Sequence, residues 1–326
     1  MIKRLLLSAI FALSMCLPTM AGTSHGGTII PPAASDVGYT VNTYHVGPFT
    51  TSNVDMSGTY VGGFSFYPYN LSGSHSNLSN FTINPDGTMT LNNAVALASV
   101  GSIQVDPRYH GIAFGCGAYL TAEVSFDPVT SVVGSGYPAW WAIAWENQIG
   151  YMNTPISGQW TGQAPGYTHF LELDTFEFDR PEFPYPRYAY GATLRDWYGI
   201  YNVTCPIIFC VHDSNFINGS VVPPAYTDWN LYHRIAVLWV PAVGGADGYA
   251  QAYFDDVPMN NPVTWTKYDG SMDTPPITSA SSWALGVIDI DHLILILGSG
   301  GGGVGVDENV RSVDVWQGPG RCNISN

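Results

Sequence analysis

Basic residues are the scarcest feature of this chain: ten Lys and Arg stand against 25 Asp and Glu in 326 residues, for a net charge of −15. A surface of that sign repels nucleic acid and anionic lipid, and no basic patch offsets it, so nucleic-acid partners are excluded. Long apolar runs are also missing past the N-terminus, and no later segment reaches the ~20 residues that a membrane-spanning helix requires. Gly (36) and Pro (23) recur every few positions, and few windows longer than about 12 residues show helical periodicity. Cysteine is sparse. The five present include no paired C-x-x-C and no matching His spacing, which argues against zinc.

What is present at the start is an export leader. Lys3 and Arg4 give a positive beginning, Leu5 to Met15 an apolar stretch, and Thr19-Met20-Ala21 a small-residue cleavage site. The bulky Met15 before Cys16 disfavours a lipoprotein. Residues 1–21 are therefore expected to be a signal peptide, and the protein to be secreted, extracellular or periplasmic, with no membrane span. Export allows disulfides, and Cys116, Cys205, Cys210 and Cys322 allow three pairings. Cys205 and Cys210 are close enough to close a small loop, which leaves Cys116 for Cys322. Sequons at Asn70, Asn77, Asn80, Asn202 and Asn218 fit surface loops of a secreted protein.

Short alternating or apolar runs separated by turn residues fill the rest: Tyr60–Phe66, Met89–Leu91, Ala118–Phe126, Trp140–Trp145, Phe170–Phe178, Ile235–Val240, Tyr249–Phe254, Leu285–Ile290, His292–Leu297 and Val310–Trp316. That is an all-β pattern, spaced for one two-sheet sandwich. No linker divides it. Residues 22–59 read as an N-terminal leader and first strand region, 60–317 as the β-sandwich, and 318–326 as a short tail. Aromatics at 13%, with ten Trp and 20 Tyr, suit both a large β core and stacking against sugar rings.

The most informative segment is Glu172-Leu173-Asp174-Thr175-Phe176-Glu177, three acids inside an otherwise apolar, aromatic strand. Period-two alternation puts Glu172 and Asp174 on one face and Glu177 on the other. One β-bulge after Asp174 returns Glu177 to the shared face. Crowded carboxyls are costly, and such clusters serve chemistry in which two acids must differ in proton affinity. Glycoside hydrolysis is such a chemistry.

With these residues in view, the chain resembles glycoside hydrolase family 16, retaining endo-β-glycanases with a concanavalin A-like jelly roll. The family motif E-x-D-x-x-E reads here E-L-D-T-F-E. Gly136-Tyr137-Pro138-Ala139-Trp140-Trp141 is similar to the family's G-x-W-P-A-F-W, and Gly117–Phe126 to its preceding strand, with Thr121 and Glu123 where Glu and Arg are usual. Tyr232–Trp239 is similar to F-H-x-Y-A-x-E-W, Tyr253–Asp256 to Y-V-D-G, and Val310–Gln317 to the closing V-R-V-Y-Q strand. His292–Leu295 with Gly300-Gly301 resembles Y-L-I-L-N-L-x-x-G-G, with Ile296 in place of Asn. The segments follow the family's order across roughly 60 to 317.

The resemblance implies a single-domain jelly-roll β-sandwich of two antiparallel sheets, with Glu172 as nucleophile, Glu177 as general acid/base and Asp174 between them. Asp174 would orient Glu172, and its negative charge would raise the proton affinity of Glu177. Trp140, Trp141 and Trp145 are candidate sugar platforms, with Trp141 and Trp145 on one face; Trp140 is expected in the cleft and Trp141 in the core. Glu146 and His233 are further candidates for substrate contact. No cofactor is implied, and structural calcium, which the family sometimes carries, has no patterned acids here, whether at Asp269–Asp273 or at Asp307–Glu308. Gly298-x-Gly300-x-x-Gly303 matches a dinucleotide-binding pattern, but the following residues read as turn and strand, not the helix that fold needs. The expected partner is a β-linked polysaccharide of glucan or galactan type, acted on by a monomer. A lectin-like protein without turnover and a cell-wall transglycosylase are the alternatives.

Overall fold

The computed structural model describes residues 29–57, 62–69, 76–96, 98–101, 110–130, 136–146, 167–180, 189–200, 210–214, 220–268, 285–300 and 307–325. The signal peptide at 1–21, the Cys205–Cys210 pairing, Asp269–Asp273 and Gly301 to Gly303 lie outside the described residues, as do the sequons at Asn70, Asn202 and Asn218.

Seventeen strands account for most of the described chain: β1 (Val41–Val46), β2 (Phe81–Ile83), β3 (Met89–Asn92), β4 (Val95–Ala96), β5 (Val100–Gly101), β6 (His110–Ala113), β7 (Ala118–Ser125), β8 (Tyr137–Ala144), β9 (Tyr167–Arg180), β10 (Ala189–Ile200), β11 (Cys210–Ser214), β12 (His233–Val240), β13 (Gly248–Phe254), β14 (Val257–Trp265), β15 (Leu293–Gly300), β16 (Asp307–Gln317) and β17 (Ile324–Ser325). A five-residue helix, α1 (Pro32–Asp36), precedes them. The large sheet runs β14-β13-β12-β7-β16-β3-β2, with β1 also paired to β16. The smaller one runs β11-β10-β9-β8-β15-β4, and β17-β6-β5 form a third, minor sheet. The ladders are antiparallel. The two-sheet, all-β antiparallel sandwich expected from the short alternating runs is the observed architecture.

The pleat sorts side chains between layers. Ala118, Leu120, Ala122 and Val124 of β7 and Ile235, Val237 and Trp239 of β12 meet Leu171, Leu173, Phe176 and Phe178 of β9 in the core between the sheets. The inward set on β9 steps by two, then by three, then by two again, so an extra residue falls between Leu173 and Phe176. The outer face of the small sheet carries a second apolar cluster, with Trp141, Ile143, Trp145, Phe170, Ile294 and Ile296. The outer face of the large sheet carries a third, where α1 covers Tyr119, Ala236, Leu238 and Trp316.

Several expectations need correction. Leu285–Ile290 is not a strand: Gly286–Asp289 forms a 3-10 turn with Gly286, Val287 and Ile288 buried. A short apolar run signals burial, which a strand and a buried helical turn share. The Asp289 carboxylate steadies this turn by accepting from the Trp265 indole N–H (2.9 Å) and the Ala242 backbone N–H (2.9 Å). The tail, by contrast, is tied down as the expected Cys116–Cys322 pairing requires. Cys322 is disulfide-bonded to Cys116, and Ile324 and Ser325 pair with Ala113 and Ile112. Strand β10 was not apparent in the sequence because Arg195 and Asp196 interrupt its apolar pattern, and β14 because it carries Pro258 and Pro262. An edge strand tolerates those prolines, since part of its backbone has no ladder to serve.

Candidate active site

The three acids of β9 lie on the outer face of the small sheet, brought there by a bulge. Against β10, Glu177 stands opposite Gly191 and Asp174 opposite Thr193, so β9 uses one residue more than its neighbour over that interval. Against β8, Phe176 pairs with Trp140 and Asp174 with Trp141, again with one residue extra on β9. Both neighbours therefore place the bulge at Thr175, whose side chain is buried. The bulge keeps Leu173 and Phe176 both facing the core, and so turns Glu172, Asp174 and Glu177 the same way.

Neighbouring strands supply a specific partner for each acid. The Trp197 indole N–H donates to Glu172 Oε2 at 2.7 Å, and Glu172 and Asp174 hydrogen-bond each other. Arg195 Nε donates to Asp174 Oδ2 at 2.7 Å, and its Nη2 lies 3.5 Å from Glu177 Oε2. The Tyr137 hydroxyl of β8 donates to Glu177 Oε1 at 2.9 Å. Ala139, Trp141 and Ile143 of β8 flank Glu177, Asp174 and Glu172 in turn. Trp197 lies parallel to Phe170, with ring centroids 6.1 Å apart and an interplanar angle of 4°.

The electrostatics follow from crowding and burial. Burial is the largest influence on Glu172, pushing its carboxyl from 4.5 up to about 7; the charge of Glu177 adds to this, while Arg195 and the hydrogen bonds from Trp197 and Asp174 oppose it. Asp174 is only 2% exposed. Burial, then the charges of Glu172 and Glu177, push it well above the usual carboxylate range against the pull of Arg195. Two interacting acids titrate as a pair, so Glu172 and Asp174 together retain a proton to near neutrality. Burial thus works against the negative charge that Asp174 is expected to carry.

The remaining candidates separate by face. Trp141 packs in the acid-face cluster as Trp145 does, but Trp145 is 1% exposed and supports that face from beneath. Trp140 and Trp141 exchange their expected places. Trp140 is fully buried between the sheets, its indole N–H donating to the Ile235 carbonyl at 3.2 Å, because the alternation that aims Trp141 at Asp174 aims Trp140 inward. Glu146 is taken up by His292, accepting from the ring Nδ1 at 2.5 Å and the backbone N–H at 3.0 Å. His233 belongs to the opposite sheet, stacked on Phe254 and bonded to Asp255 at 2.8 Å, with the core between it and the acids. Thr121 and Glu123 lie on the large sheet, where Glu123 binds Arg234 at 2.9 Å and does not touch the acids. Ile296 stands beside Trp141 on the acid face. Arg195, Trp197 and Tyr137 are the members that sequence reasoning missed. Only the alternation Arg195-x-Trp197, on a strand masked by its charges, could have pointed to two of them.

Among the described residues, no group of three or more His, Cys, Asp or Glu is arranged to hold a metal ion, and no helix is long and apolar enough to cross a membrane. No protein-family model matches the chain, and no curated protein does. Among solved structures, an endo-1,3-β-glucanase from Streptomyces sioyaensis is 16% identical over 77% of this chain and 80% of that one, with a TM-score of 0.38. The carbohydrate recognition domain of Emp47p is 11% identical over 73% of this chain and 86% of that one, with a TM-score of 0.32. Likenesses this remote carry no argument about function, which must come from the site itself.

Proposed function

We propose that this protein is an exported, retaining endo-β-glycosidase acting on a β-linked polysaccharide of glucan or galactan type, on a concanavalin A-like jelly roll resembling glycoside hydrolase family 16. The observation that carries the reading is the bulge at Thr175, which sets Glu172, Asp174 and Glu177 on one aromatic-lined face. Glu172 is the nucleophile: held by Trp197, it attacks the anomeric carbon to form a glycosyl-enzyme intermediate. Glu177, held by Tyr137, protonates the leaving oxygen and then activates the water that releases the sugar. Asp174 lies between them and exchanges a hydrogen bond with Glu172. Trp197, half-buried, offers a flat ring beside the acids for the apolar face of a sugar, and the more deeply buried Trp141 backs Asp174.

One observation favours a second reading, carbohydrate binding without turnover. Burial favours the neutral form of Glu172, and a nucleophilic carboxyl must be charged to attack. Incubating the mature protein with β-1,3-glucans, mixed-linkage β-1,3/1,4-glucans and galactans separates the possibilities. New reducing ends that disappear in Glu172→Gln support hydrolysis, and cleavage that survives this substitution overturns the site. Binding without cleavage across the panel favours the lectin-like reading. Redistribution of chain lengths without new reducing ends indicates transglycosylation.

A further inference from the structure

We propose that Arg195 is a positioning residue, a clamp that spans the bulge of β9, fixes Asp174 and Glu177 relative to each other, and governs how Glu172 and Asp174 share their protons. This rests on the reading of the trio as the reactive group. A bulge solves the problem of facing, since it turns Glu177 onto the side of Asp174. It also loosens the strand at the point where two acids must keep a fixed relation, because the extra residue there has no ladder partner. Arg195 fastens the two sides of that break. Its Nε holds Asp174 before Thr175, and its Nη2 reaches Glu177 beyond it. A guanidinium is planar and forked, so the two carboxylates it holds are fixed relative to each other; a lysine ammonium has no such geometry.

The placement on β10 makes this possible. Arg195 stands opposite Glu172 in the register, one strand away from all three acids, and Trp197 shares its face two residues further on. The two side chains divide the trio: Trp197 takes Glu172, and Arg195 takes the other two. Packing around the clamp is close on its inner side, where the Asp174 and Glu177 side chains are 4% and 15% exposed, while Arg195 itself is 30% exposed. Among the described residues, the charged and titratable groups that face it include Glu172, Asp174 and Glu177 from β9 and Tyr137 from β8, with Asp213 at the opposing register position on β11. Strand β15 contributes the apolar Ile294 and Ile296 to this face.

A cation within a few ångströms typically lowers a carboxyl's proton affinity by about 1–3 pH units. Arg195 exerts that pull on both Glu172 and Asp174. Without it, Glu172 and Asp174 would retain their protons to higher pH, and the nucleophile would be charged over a narrower range.

The test is a titration of carboxyl 13C resonances in the full mature chain labelled at Asp and Glu, comparing wild type, Arg195→Gln and Arg195→Lys. Glu172→Gln and Asp174→Asn assign the signals. The Gln variant keeps length and polarity without charge, and its Glu172 and Asp174 midpoints should rise by about 1 pH unit or more. The Lys variant retains charge without the fork, so its midpoints should rise by less than half as much. With glycan turnover, the acid limb of kcat/KM should move upward by the same interval. Unmoved midpoints in Arg195→Gln overturn the proposal, even where melting temperature and kcat fall, because a merely structural ion pair would do only that. Should the Gln variant fail to fold, a Lys variant indistinguishable from wild type in midpoints and in kcat overturns the clamp, and a partial rise with lowered kcat supports it. Since the titration needs no turnover, shifted midpoints in a protein that cleaves nothing would sink the hydrolase reading while leaving the role of Arg195 in place.

Discussion

Replacing Glu172 by Gln should inactivate the protein and, at the same time, make it more stable at neutral and alkaline pH. Folding carries the Glu172 carboxyl from a value of 4.5 to about 7, chiefly through burial. Because the folded state binds the proton more tightly, the stability gained is fully present below the unfolded value of 4.5 and is lost as pH rises through the folded value near 7. At about 1.4 kcal/mol per pH unit, the ionised carboxyl costs about 3 kcal/mol at pH 8 relative to a neutral group of the same shape. An amide is such a group. It can accept from Trp197 and donate to Asp174, and with the Glu172 charge gone Asp174 ionises more readily, which adds to the effect. Urea denaturation at pH 4, 6 and 8 provides the measurement. The variant and wild type should coincide at pH 4, diverge at pH 6, and differ by about 3 kcal/mol at pH 8, a rise of roughly 6 °C in melting temperature. A difference that stays constant with pH, or a variant less stable at pH 8, would refute the account of a carboxyl strained by burial for the sake of reactivity.

Trp140→Ala should cost about 3–5 kcal/mol in chemical denaturation, since it empties the space between the sheets and leaves the Ile235 carbonyl without its indole donor. Cys116→Ser, or reduction of the bridge to Cys322 that closes 206 residues of chain, should lower stability by about 2–5 kcal/mol, read as a drop in melting temperature that wild type shows only with reductant. His233→Ala should leave kcat/KM near the wild-type value while weakening the fold by about 1 kcal/mol, because its bonds to Asp255 and the Asp228 carbonyl lie across the core from the acids. A large loss of kcat/KM in that variant would mean that His233 reaches the substrate.

The sandwich was legible in the sequence wherever a strand kept a strict two-residue rhythm. Ala118 to Val124 shows it and packs as that rhythm requires, while Ile235 to Trp239 is an unbroken apolar run buried on both faces of its sheet. The acids were legible for the opposite reason. The break in rhythm between Leu173 and Phe176 calls for an extra residue, and the structure places it at Thr175. What stayed hidden was whatever depends on the parity of a strand beside another strand. Trp140 and Trp141 are chemically alike and adjacent, so only the register with Phe176 and Asp174 decides which one meets the core. Arg195 and Trp197 lie on a strand whose buried Asp196 and flanking glycines disguise it, and their partners are far away in sequence. Glu146 and His233 are both ordinary-looking polar residues near strand ends. Each is claimed by a partner 22 or more positions away that no local pattern announces.

The described chain begins and ends on different sides of the molecule. Residues before β1 run with α1 over the outer face of the large sheet, whereas β17 joins the minor sheet and sets Ile324 against the aromatic cluster beside the acids. An affinity handle, fusion partner or immobilising bead attached before residue 29 would therefore project from the far side of the sandwich and leave the approach to Glu172 and Glu177 open. The same cargo joined after Ser325 would start from the face of the small sheet that carries the acids. For any assay that fixes the protein to a surface while long polymer chains diffuse past, the choice of end decides which sheet is turned toward them.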